Sequence, residues 1–400
     1  MRPRRHTRGQ RSAVRLSGIS ARRNQARASD DDSDGWLLTL PAPGNDTVLI
    51  TGGAGFIGTT LARRLVGEGR RVVALDNMHP QVHPGGRPRR LPDEVELYPF
   101  DVTHADSWRA ALALIQPRTI VHLAAETGTG QSLTEATRHA SVNVVGTTQM
   151  LDALTATGHV PEHVVLASSR AVYGEGAWQA GDQVFYPGPR TRQQLEAGTW
   201  DPAAPAGVTG AARPVPHDAA TTVPGPTNVY AATKLAQEHV LQAWTEANGT
   251  ALSVLRLQNV YGPGQSLTNS YTGVIAFFSR VASAGDPIDV YEDGDITRDF
   301  VFVEDVVSAL TASLARPPQR SRTVDIGGGD VMSILDAARL VAELRGAPEP
   351  QVSGKFRHGD VRAASASLDG ARRELDYRPE WSLRRGLVEL FSWIDAGGVA

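Results

Sequence analysis

One short segment constrains the fold more than any other, because it reads as a strand, a tight glycine turn and an amphipathic helix in direct succession: 47-TVLITGGAGFIGTTLARRLVGEG-69. Gly52, Gly55 and Gly58 give the turn a Gly-x-x-Gly-x-x-Gly spacing. The first glycine permits the turn, the second lets a pyrophosphate approach the backbone, and the third lets the helix pack on the strand. The free N–H groups of the helix then face the phosphates. The segment therefore predicts a dinucleotide-binding βα unit.

A second strand-like run, 71-RVVALDN-77, ends in an acid at the distance from the turn that such a site requires, about 20 residues. An aspartate at this position, Asp76, accepts both ribose hydroxyls of NAD and repels the 2′-phosphate of NADP. Asn77, which follows it, brings no positive charge to offset that repulsion. The sequence therefore predicts NAD as the cofactor.

Strand-like and helical segments alternate along the rest of the chain. The further strand-like runs are Glu94–Phe100, Thr119–Leu123, Glu162–Ala167 and Ala251–Leu257, and the helical patterns are His104–Ile115, Thr134–Thr157 and Val229–Asn248. This alternation predicts an α/β fold with a Rossmann-type doubly wound parallel sheet. We expect an NAD-binding domain over residues 45–262. Residues 263–400 are expected to be mainly a smaller C-terminal α/β substrate-binding domain, with parts that return to the Rossmann sheet.

Residues 175–226 interrupt this alternation, because they are rich in Gly, Pro, Ala and Thr and have almost no periodicity. A structureless loop of this length is unusual inside a compact domain. The segment is therefore expected to be a long insertion, which would form a lid, a small subdomain or a disordered loop.

Composition and charge exclude several classes of protein. Residues 1–29 carry nine arginines and no acid, and we expect residues 1–44 to be a basic, disordered tail; a transit peptide or a nucleic-acid arm is the alternative. No apolar stretch reaches the ~20 residues that cross a bilayer, so a membrane is not an expected partner. A nucleic-acid role would rest only on the basic tail, and no nucleic acid is an expected partner. The chain has no cysteine, which excludes disulfides and thiolate sites and is compatible with a cytoplasmic location. The eleven histidines show no ligand spacing, so no metal site is predicted.

Tyr230 and Lys234 share one helix face in 228-NVYAATKLAQEHV-240, because they stand four residues apart. Lysine is rare in this chain: Lys355 is the only other one among 40 basic residues. A nearby ammonium and the positive nicotinamide would favour the phenolate of a tyrosine, so Tyr230 would take a proton from a substrate hydroxyl. Ser169, at the end of a strand-like run, would bond the same oxygen and relay the proton. The alternative is that Tyr230 packs in the core and Lys234 is solvated.

Six segments in order resemble the extended short-chain dehydrogenase/reductases, in the branch that acts on nucleoside-diphosphate sugars. The segments are 52-GGAGFIG-58, 121-VHLAAET-127, 143-NVVGT-147, 168-SSRAVYG-174, 230-YAATK-234 and 296-ITRDFVFVEDV-306. The resemblance runs from about Thr47 to Trp393 and leaves out the tail and the insertion. It implies that the chain binds a nucleotide sugar and forms a homodimer through the helices 134–157 and 229–248.

The resemblance also implies roles for single residues. In the cofactor site it implies Phe56 and Ile57 along the pyrophosphate, Asp101 and Val102 beside the adenine, Ala124, Ala125 and Thr127 at the nicotinamide half, and Asn143 steadying the lysine and cofactor side. In the substrate site it implies Ser169 at the sugar, Asn259 at the pyrophosphate, and Arg298 and Arg357 as the arginines that clamp it. Two guanidiniums suit a diphosphate because they bind it bidentately and stay charged.

The residues after Ser169 narrow the implied reaction. Relatives that are 4,6-dehydratases carry an Asp-Glu pair where this chain has Arg170 and Ala171, sugar-acid decarboxylases place a glutamate at the second of these positions, and 3,5-epimerases rely on a cysteine. What remains is reversible oxidation at C4, the reaction of an NAD-dependent 4-epimerase. The segment 168-SSRAVYGEG-176 with its long insertion resembles bacterial dTDP-L-rhamnose 4-epimerase-like proteins, whose product would be dTDP-6-deoxy-L-talose. An NAD(P)H-dependent 4-ketoreductase, a dehydratase and a non-catalytic scaffold are the alternatives.

Overall fold

Seven parallel strands form the central sheet of the protein. The structure is a computed structural model that describes residues 46–83, 85–267 and 273–398, so the predicted tail, residues 1–44, lies outside the described residues. The strands are, in spatial order, β13 (Ser321–Ile326), β9 (Ala251–Leu257), β5 (His163–Ser169), β4 (Thr119–His122), β1 (Val48–Thr51), β2 (Val72–Leu75) and β3 (Glu96–Tyr98). The order reverses direction at β1, so the predicted doubly wound Rossmann-type sheet is confirmed.

Helices cover both faces of this sheet, which explains why β1, β2 and β4 are buried along their whole length. A parallel strand with both faces covered is apolar throughout rather than alternating. The helices on one face are α2 (Ala105–Leu114), α5 (Gly146–Thr157) and α7 (Val229–Asn248). The helices on the other face are α1 (Phe56–Gly67), α9 (Val303–Ala315) and α11 (Asp369–Leu375).

The helix predicted over Thr134–Thr157 is interrupted in the structure. It consists of α4 (Ala136–Ala140), a π-helical turn over Ser141–Val145, and α5; the short helix α3 (Thr129–Ser132) precedes it. A π-turn adds one residue to the helical repeat and often occurs at a functional site. Its centre is Asn143, which is fully buried.

The last third of the chain builds a second, smaller sheet and its own apolar cluster. The sheet is formed by β10 (Asn259–Tyr261), β12 (Thr297–Phe302), β14 (Val331–Ser333) and β16 (Ala363–Ala364). Beside it lie the strand pair β11 (Asp289–Val290) and β15 (Gln351–Val352), and the helices α8 (Val274–Ser283), α10 (Ile334–Arg345) and α12 (Leu383–Asp395). The predicted domain boundary near residue 262 stays a prediction.

The insertion is ordered, so the disordered loop is excluded from the alternatives that its composition left open. It forms a three-stranded antiparallel sheet from β6 (Trp178–Ala180), β7 (Gln183–Phe185) and β8 (Arg213–Pro214), with the short helix α6 (Arg192–Glu196). The backbone of His217 pairs with that of Ser365 and Ser367, so the end of the insertion is fixed to the second sheet. No helix within the described ranges is long and apolar enough to cross a membrane.

Candidate active site

A cavity of about 870 Å³ opens at the carboxyl edge of the central sheet. This is the edge at which open α/β sheets bind their ligands. Of the predicted site residues, Asp101 and Asn143 do not line the cavity. The predicted residues that do line it are Gly52, Gly55, Phe56, Ile57, Gly58, Asp76, Asn77, Val102, Ala124, Ala125, Thr127, Ser169, Tyr230, Lys234, Asn259, Arg298 and Arg357.

The glycine turn between β1 and α1 leaves no space for side chains. Gly52 has a φ of +67°, and a Cβ there would lie 2.8 Å from the backbone nitrogen of Ala124. A Cβ on Gly58 would lie 2.4 Å from the carbonyl oxygen of Gly52, so only glycine lets the helix approach the turn. Gly53, which sequence reasoning missed, is equally confined, since its Cβ would meet that of Ala74 at 2.6 Å. The turn therefore presents bare backbone at the beginning of α1.

The Asp76 carboxylate is bound to this turn. Its Oδ2 accepts the backbone N–H of Ala54 at 3.1 Å and its Oδ1 that of Met78 at 3.0 Å. The ring of His83, a buried residue that sequence reasoning missed, places Nε2 3.4 Å from Oδ1. Asp76 thus stands at the end of β2 in the cavity wall, where its carboxylate is oriented before any ligand binds.

Asp101 and Asn143 do not line the cavity themselves but hydrogen-bond to residues that do. Asp101 accepts the side-chain amide of Asn77 at 3.2 Å, which orients that lining residue. Asn143 bonds both the N–H and the carbonyl of Glu126, at 2.8 and 3.0 Å, and the hydroxyl of Thr233 at 2.9 Å. Asn143 therefore joins the loop after β4 to α7 one residue before Lys234.

Ser169 and Tyr230 both line the cavity. Ser169 ends β5, and its Oγ accepts the N–H of Ala171 at 3.2 Å, which starts a 3₁₀ turn over Arg170–Tyr173. Tyr230 stands in the first turn of α7, whose N-cap is Asn228. Burial raises the pKa of Tyr230, while the hydroxyl of Ser169 and the charge of Arg170 act to lower it.

The Lys234 side chain is only 2 % exposed. Its Nζ donates to Oε1 of Gln237 at 2.6 Å. Burial lowers the pKa of Lys234 to about 7, against the raising effect of Glu238. The ammonium is therefore held inside the protein by a neutral amide, and it loses its proton easily.

A polar chain continues from Lys234 into the sheet, and sequence reasoning missed all of it. Gln237 donates to Oγ1 of Thr147 at 2.9 Å, and Nε2 of His122 lies 3.0 Å from the same hydroxyl. Nδ1 of His122 lies 2.7 Å from Oγ1 of Thr51. Burial, aided by the charge of Lys234, lowers the pKa of His122 to about 3, so the ring is neutral. The signal in the sequence is the run of polar residues on the buried face of α7.

The substrate half of the cavity carries positive charge. Arg298 is 7 % exposed and donates to the carbonyls of Thr297 and Val361, both at 2.8 Å. Within the described residues neither Arg298 nor Arg357 forms an ion pair with a carboxylate. The guanidinium of Arg357 lies 5.2 Å from the ring centre of Tyr291. Two guanidiniums without a direct carboxylate partner fit an anionic ligand.

Buried ion pairs attach the insertion to the chain beside this half. Arg190 is within 3.1 Å of Glu175 and 2.8 Å of Glu292, and all three side chains are at most 3 % exposed. The guanidinium of Arg362 lies 3.2 Å from the carboxylate of Glu292, and the backbone N–H of Arg362 donates to the carboxylate of Glu175 at 2.9 Å. Arg190 also donates to the carbonyl of Asp360, a cavity-lining residue, at 2.7 Å. The insertion is thus a fixed support for the cavity wall.

Comparison with known proteins agrees with this geometry. Residues 48–192 and 203–327 match the model of the NAD dependent epimerase/dehydratase family. The chain is 56 % identical to the dTDP-L-rhamnose 4-epimerase of Burkholderia thailandensis over 349 residues, which are 87 % of this chain and 94 % of that protein.

Two crystal structures share the fold over almost their whole length. The UDP-glucose 4-epimerase of Thermotoga maritima, solved with UDP-glucose, is 26 % identical with a TM-score of 0.71, over 88 % of this chain and 99 % of that one. The UDP-glucose 4-epimerase of Thermus thermophilus, solved with NAD, is 26 % identical with a TM-score of 0.69, over 86 % of this chain and 99 % of that one.

Proposed function

Since the chain belongs to the NAD dependent epimerase/dehydratase family, we propose that it is a nucleotide-sugar 4-epimerase. The observation that carries this proposal is that Ser169 and Tyr230 line the same cavity, with Arg170 and Ala171 after Ser169 in place of two carboxylates. A dehydratase needs a second acid and base to remove water, whereas inversion at C4 needs only one group that moves a proton. The 56 % identity to a 4-epimerase supports the same conclusion.

NAD fits the bare backbone of the glycine turn, because a pyrophosphate can approach where Gly52 and Gly58 carry no side chain. Asp76 would accept the ribose hydroxyls, and Ala124, Ala125 and Thr127 would border the nicotinamide half. When bound, NAD would accept the hydride that leaves C4 of the sugar and would return a hydride to the same carbon. The chemistry has no net redox change, so the cofactor is expected to stay bound between turnovers.

Tyr230 would take the proton of the C4 hydroxyl, and Ser169, which lines the same cavity, would bond the same oxygen and relay that proton. Both are placed for this role by secondary structure, Ser169 by the end of β5 and Tyr230 by the first turn of α7. The proton would return along the same path when the C4 hydroxyl is restored. A general acid and base of this kind contributes typically 10²–10⁴-fold to a rate.

The diphosphate of the substrate would bind Arg298 and Arg357, with Asn259 beside them. Arg298 is fixed by two backbone carbonyls, so the diphosphate has a rigid partner. While the diphosphate is held, the 4-keto sugar would turn about its bond to the phosphate and present its other face. The insertion supports this half of the cavity through the bond from Arg190 to the carbonyl of Asp360.

We propose dTDP-L-rhamnose as the sugar nucleotide and dTDP-6-deoxy-L-talose as the product. The support is the relative of 56 % identity, whose match covers 94 % of its length. We further propose a homodimer through the helices 134–157 and 229–248, to be checked by sedimentation, and a cytoplasmic location.

The test uses purified protein with no added cofactor and a panel of dTDP-L-rhamnose, UDP-glucose, UDP-galactose and UDP-glucuronate. The sugar ring protons are followed by NMR. Inversion at C4 of dTDP-L-rhamnose without accumulation of NADH is the expected result. Silence across the panel together with consumption of NADH or NADPH on a 4-keto sugar would replace the epimerase with a 4-ketoreductase.

A further inference from the structure

The loop after β2, residues 77–83, forms one rim of the cavity. The backbone N–H groups of Val82 and His83 both donate to the carbonyl of His79 at 2.9 Å, so the loop is closed into a turn. The loop residues that line the cavity are Asn77, His79, Gln81, Val82 and His83. Because the loop directly follows Asp76, which would accept the ribose hydroxyls, this rim stands at the adenosine half of the proposed NAD site.

The loop after β4 forms a second rim. Its lining residues are Glu126, Thr127, Gly128, Thr129, Gly130 and Gln131. Asn143 bonds both the N–H and the carbonyl of Glu126, and Nε2 of His139 lies 3.3 Å from the carbonyl oxygen of Thr127. This rim is therefore fixed to α4 and to the π-helical turn. Because β1 lies between β4 and β2 in the sheet, the two rims stand on either side of the glycine turn.

Arg138, on α4, joins the two rims. Its Nη2 donates to Oε1 of Gln81 at 3.2 Å and lies 2.8 Å from Oε1 of Glu126. Its Nη1 donates to Oε2 of Glu135 at 3.0 Å. Within the described residues no other hydrogen bond connects residues 77–83 with residues 126–138. The bond between Arg138 and Gln81 is thus the direct bridge that this part of the chain makes across the glycine turn.

Protein groups already satisfy the charge of Arg138. The carboxylates of Glu126 and Glu135 lie within 3.0 Å of it, whereas Arg298 and Arg357 have no carboxylate partner among the described residues. A phosphate would therefore gain little from Arg138, although this residue lines the cavity. The Arg138 side chain is also 30 % exposed. Water competes for the bonds of an exposed pair, so the bridge can open without unfolding the protein.

We propose that Arg138 is a positioning residue for the cofactor and acts as a latch: its bond to Gln81 closes the two rims over the pyrophosphate of NAD, and this bond opens before NAD enters or leaves. The bridge connects the loop that follows Asp76 to the residue that precedes Thr127. These are the two ends that NAD itself would span. The inference rests on the proposed function, because an epimerase without net redox change needs NAD to stay in place between turnovers.

A latch has a kinetic signature that a direct ligand of NAD lacks. The same bond must open for entry and for exit, so the latch acts on both rate constants of cofactor binding. A residue that touched NAD itself would act mainly on the dissociation rate constant. Loss of the latch is therefore expected to raise kon and koff together and to leave Kd nearly unchanged.

The test measures NAD exchange in the purified holoenzyme and needs no sugar substrate. Enzyme loaded with radiolabelled NAD is chased with excess unlabelled NAD to give koff, and kon follows from koff and the Kd measured by equilibrium dialysis. Gln81→Leu and Arg138→Met are each expected to raise koff about 3–10-fold, the size of one lost hydrogen bond. The double variant is expected to be no faster than Arg138→Met, because both substitutions remove the same bond.

Two further variants serve as controls. Arg138→Lys keeps a charged donor and is expected to recover part of the retention of NAD. Arg339→Met removes an arginine that is 52 % exposed, is paired with Glu349 and does not line the cavity, and it is expected to leave both rate constants unchanged. Gln81 lies in a loop, so Gln81→Leu keeps the test valid if Arg138→Met does not fold, as judged by circular dichroism.

Two results would overturn the proposal. An unchanged koff in a folded Gln81→Leu variant would mean that the bridge does not govern the release of NAD. A raised koff with an unchanged kon in Arg138→Met would make Arg138 a direct ligand of NAD instead. Faster exchange in both latch variants of an enzyme that inverts no sugar in the NMR panel would refute the proposed function and keep the latch.

Discussion

Replacing Lys234 by methionine is expected to make the protein more stable while it removes activity. Methionine has a similar length and no charge, and the side chain is only 2 % exposed. Burial lowers the pKa of Lys234 from 10.5 to about 7. One unit of pKa corresponds to about 1.4 kcal/mol. A shift of ~3.5 units therefore means that burying the protonated amine lowers the free energy of unfolding by roughly 5 kcal/mol.

Part of this gain is offset by the amide left behind. Oε1 of Gln237 loses the donor that lies 2.6 Å away, and a buried acceptor without a partner costs about 1–3 kcal/mol. The expected net gain in the free energy of unfolding below pH 7 is therefore about 2–4 kcal/mol. Urea unfolding of both proteins after removal of bound nucleotide measures it.

The pH dependence identifies the cause of the gain. Between pH 7 and 10.5 the unfolded lysine holds a proton that the folded one has lost, so the stability of the natural protein rises with pH by at most about 1.4 kcal/mol per unit. Lys234→Met lacks this rise, so its advantage shrinks as the pH increases from 7 to 9. Lys355→Met is the matched control, since that side chain is 64 % exposed. A variant that is less stable than the natural protein at pH 7, or an advantage that does not change with pH, would refute the reasoning.

Three further substitutions test the cofactor turn, the ribose contact and the insertion. Gly58→Ala brings a Cβ within 2.4 Å of the Gly52 carbonyl oxygen, so it is expected to lower the free energy of unfolding by about 1–3 kcal/mol and to weaken NAD binding. Gly67→Ala, with open space around it, is the control. Equal NAD affinity in both variants would contradict the packing argument. Asp76→Ala is expected to reduce the preference for NAD over NADP in a binding titration, and an unchanged preference would place the ribose contact elsewhere. Arg190→Met leaves Glu175 and Glu292 short of a partner and is expected to lower the free energy of unfolding by about 3–5 kcal/mol, whereas the exposed Arg192→Met is expected to have no measurable effect.

The sheet could be predicted from the sequence because the signals of its strands are local. Apolar runs such as Thr119–His122 are buried along their whole length, so the pattern of each is complete within a few residues. The strand Ser321–Ile326 was not predicted, because it lies at the end of the sheet and only its last three residues are buried. A half-exposed edge strand has too short an apolar run to stand out.

The insertion was predicted, but which of its alternatives holds could not be, because its order depends on partners far away in the chain. Glu175, Arg190 and Arg362 look like surface charges in the sequence, yet they are buried together. The chain behind Lys234 is similar: His122 and Gln237 stand 115 residues apart and meet only when β4 and α7 pack. Residue type and spacing identified Ser169 and Tyr230, whereas Arg170 could be read only as a missing acid until its bond to Asn259 was seen.

The same long-range pairs determine when, during synthesis, the chain can complete its fold. Glu175 leaves the ribosome 187 residues before Arg362, whose N–H it accepts. At about 5–20 residues per second this delay lasts roughly 10–40 s. During that interval Glu175 and Arg190 have only each other and water until Glu292 has been made, and β9 has no β13 at its outer edge until Ile326 has been made. The nascent enzyme therefore exposes an unpaired strand and an unfinished cavity wall until nearly the whole chain has been made, and the catalytic site is one of the last parts of the molecule to form.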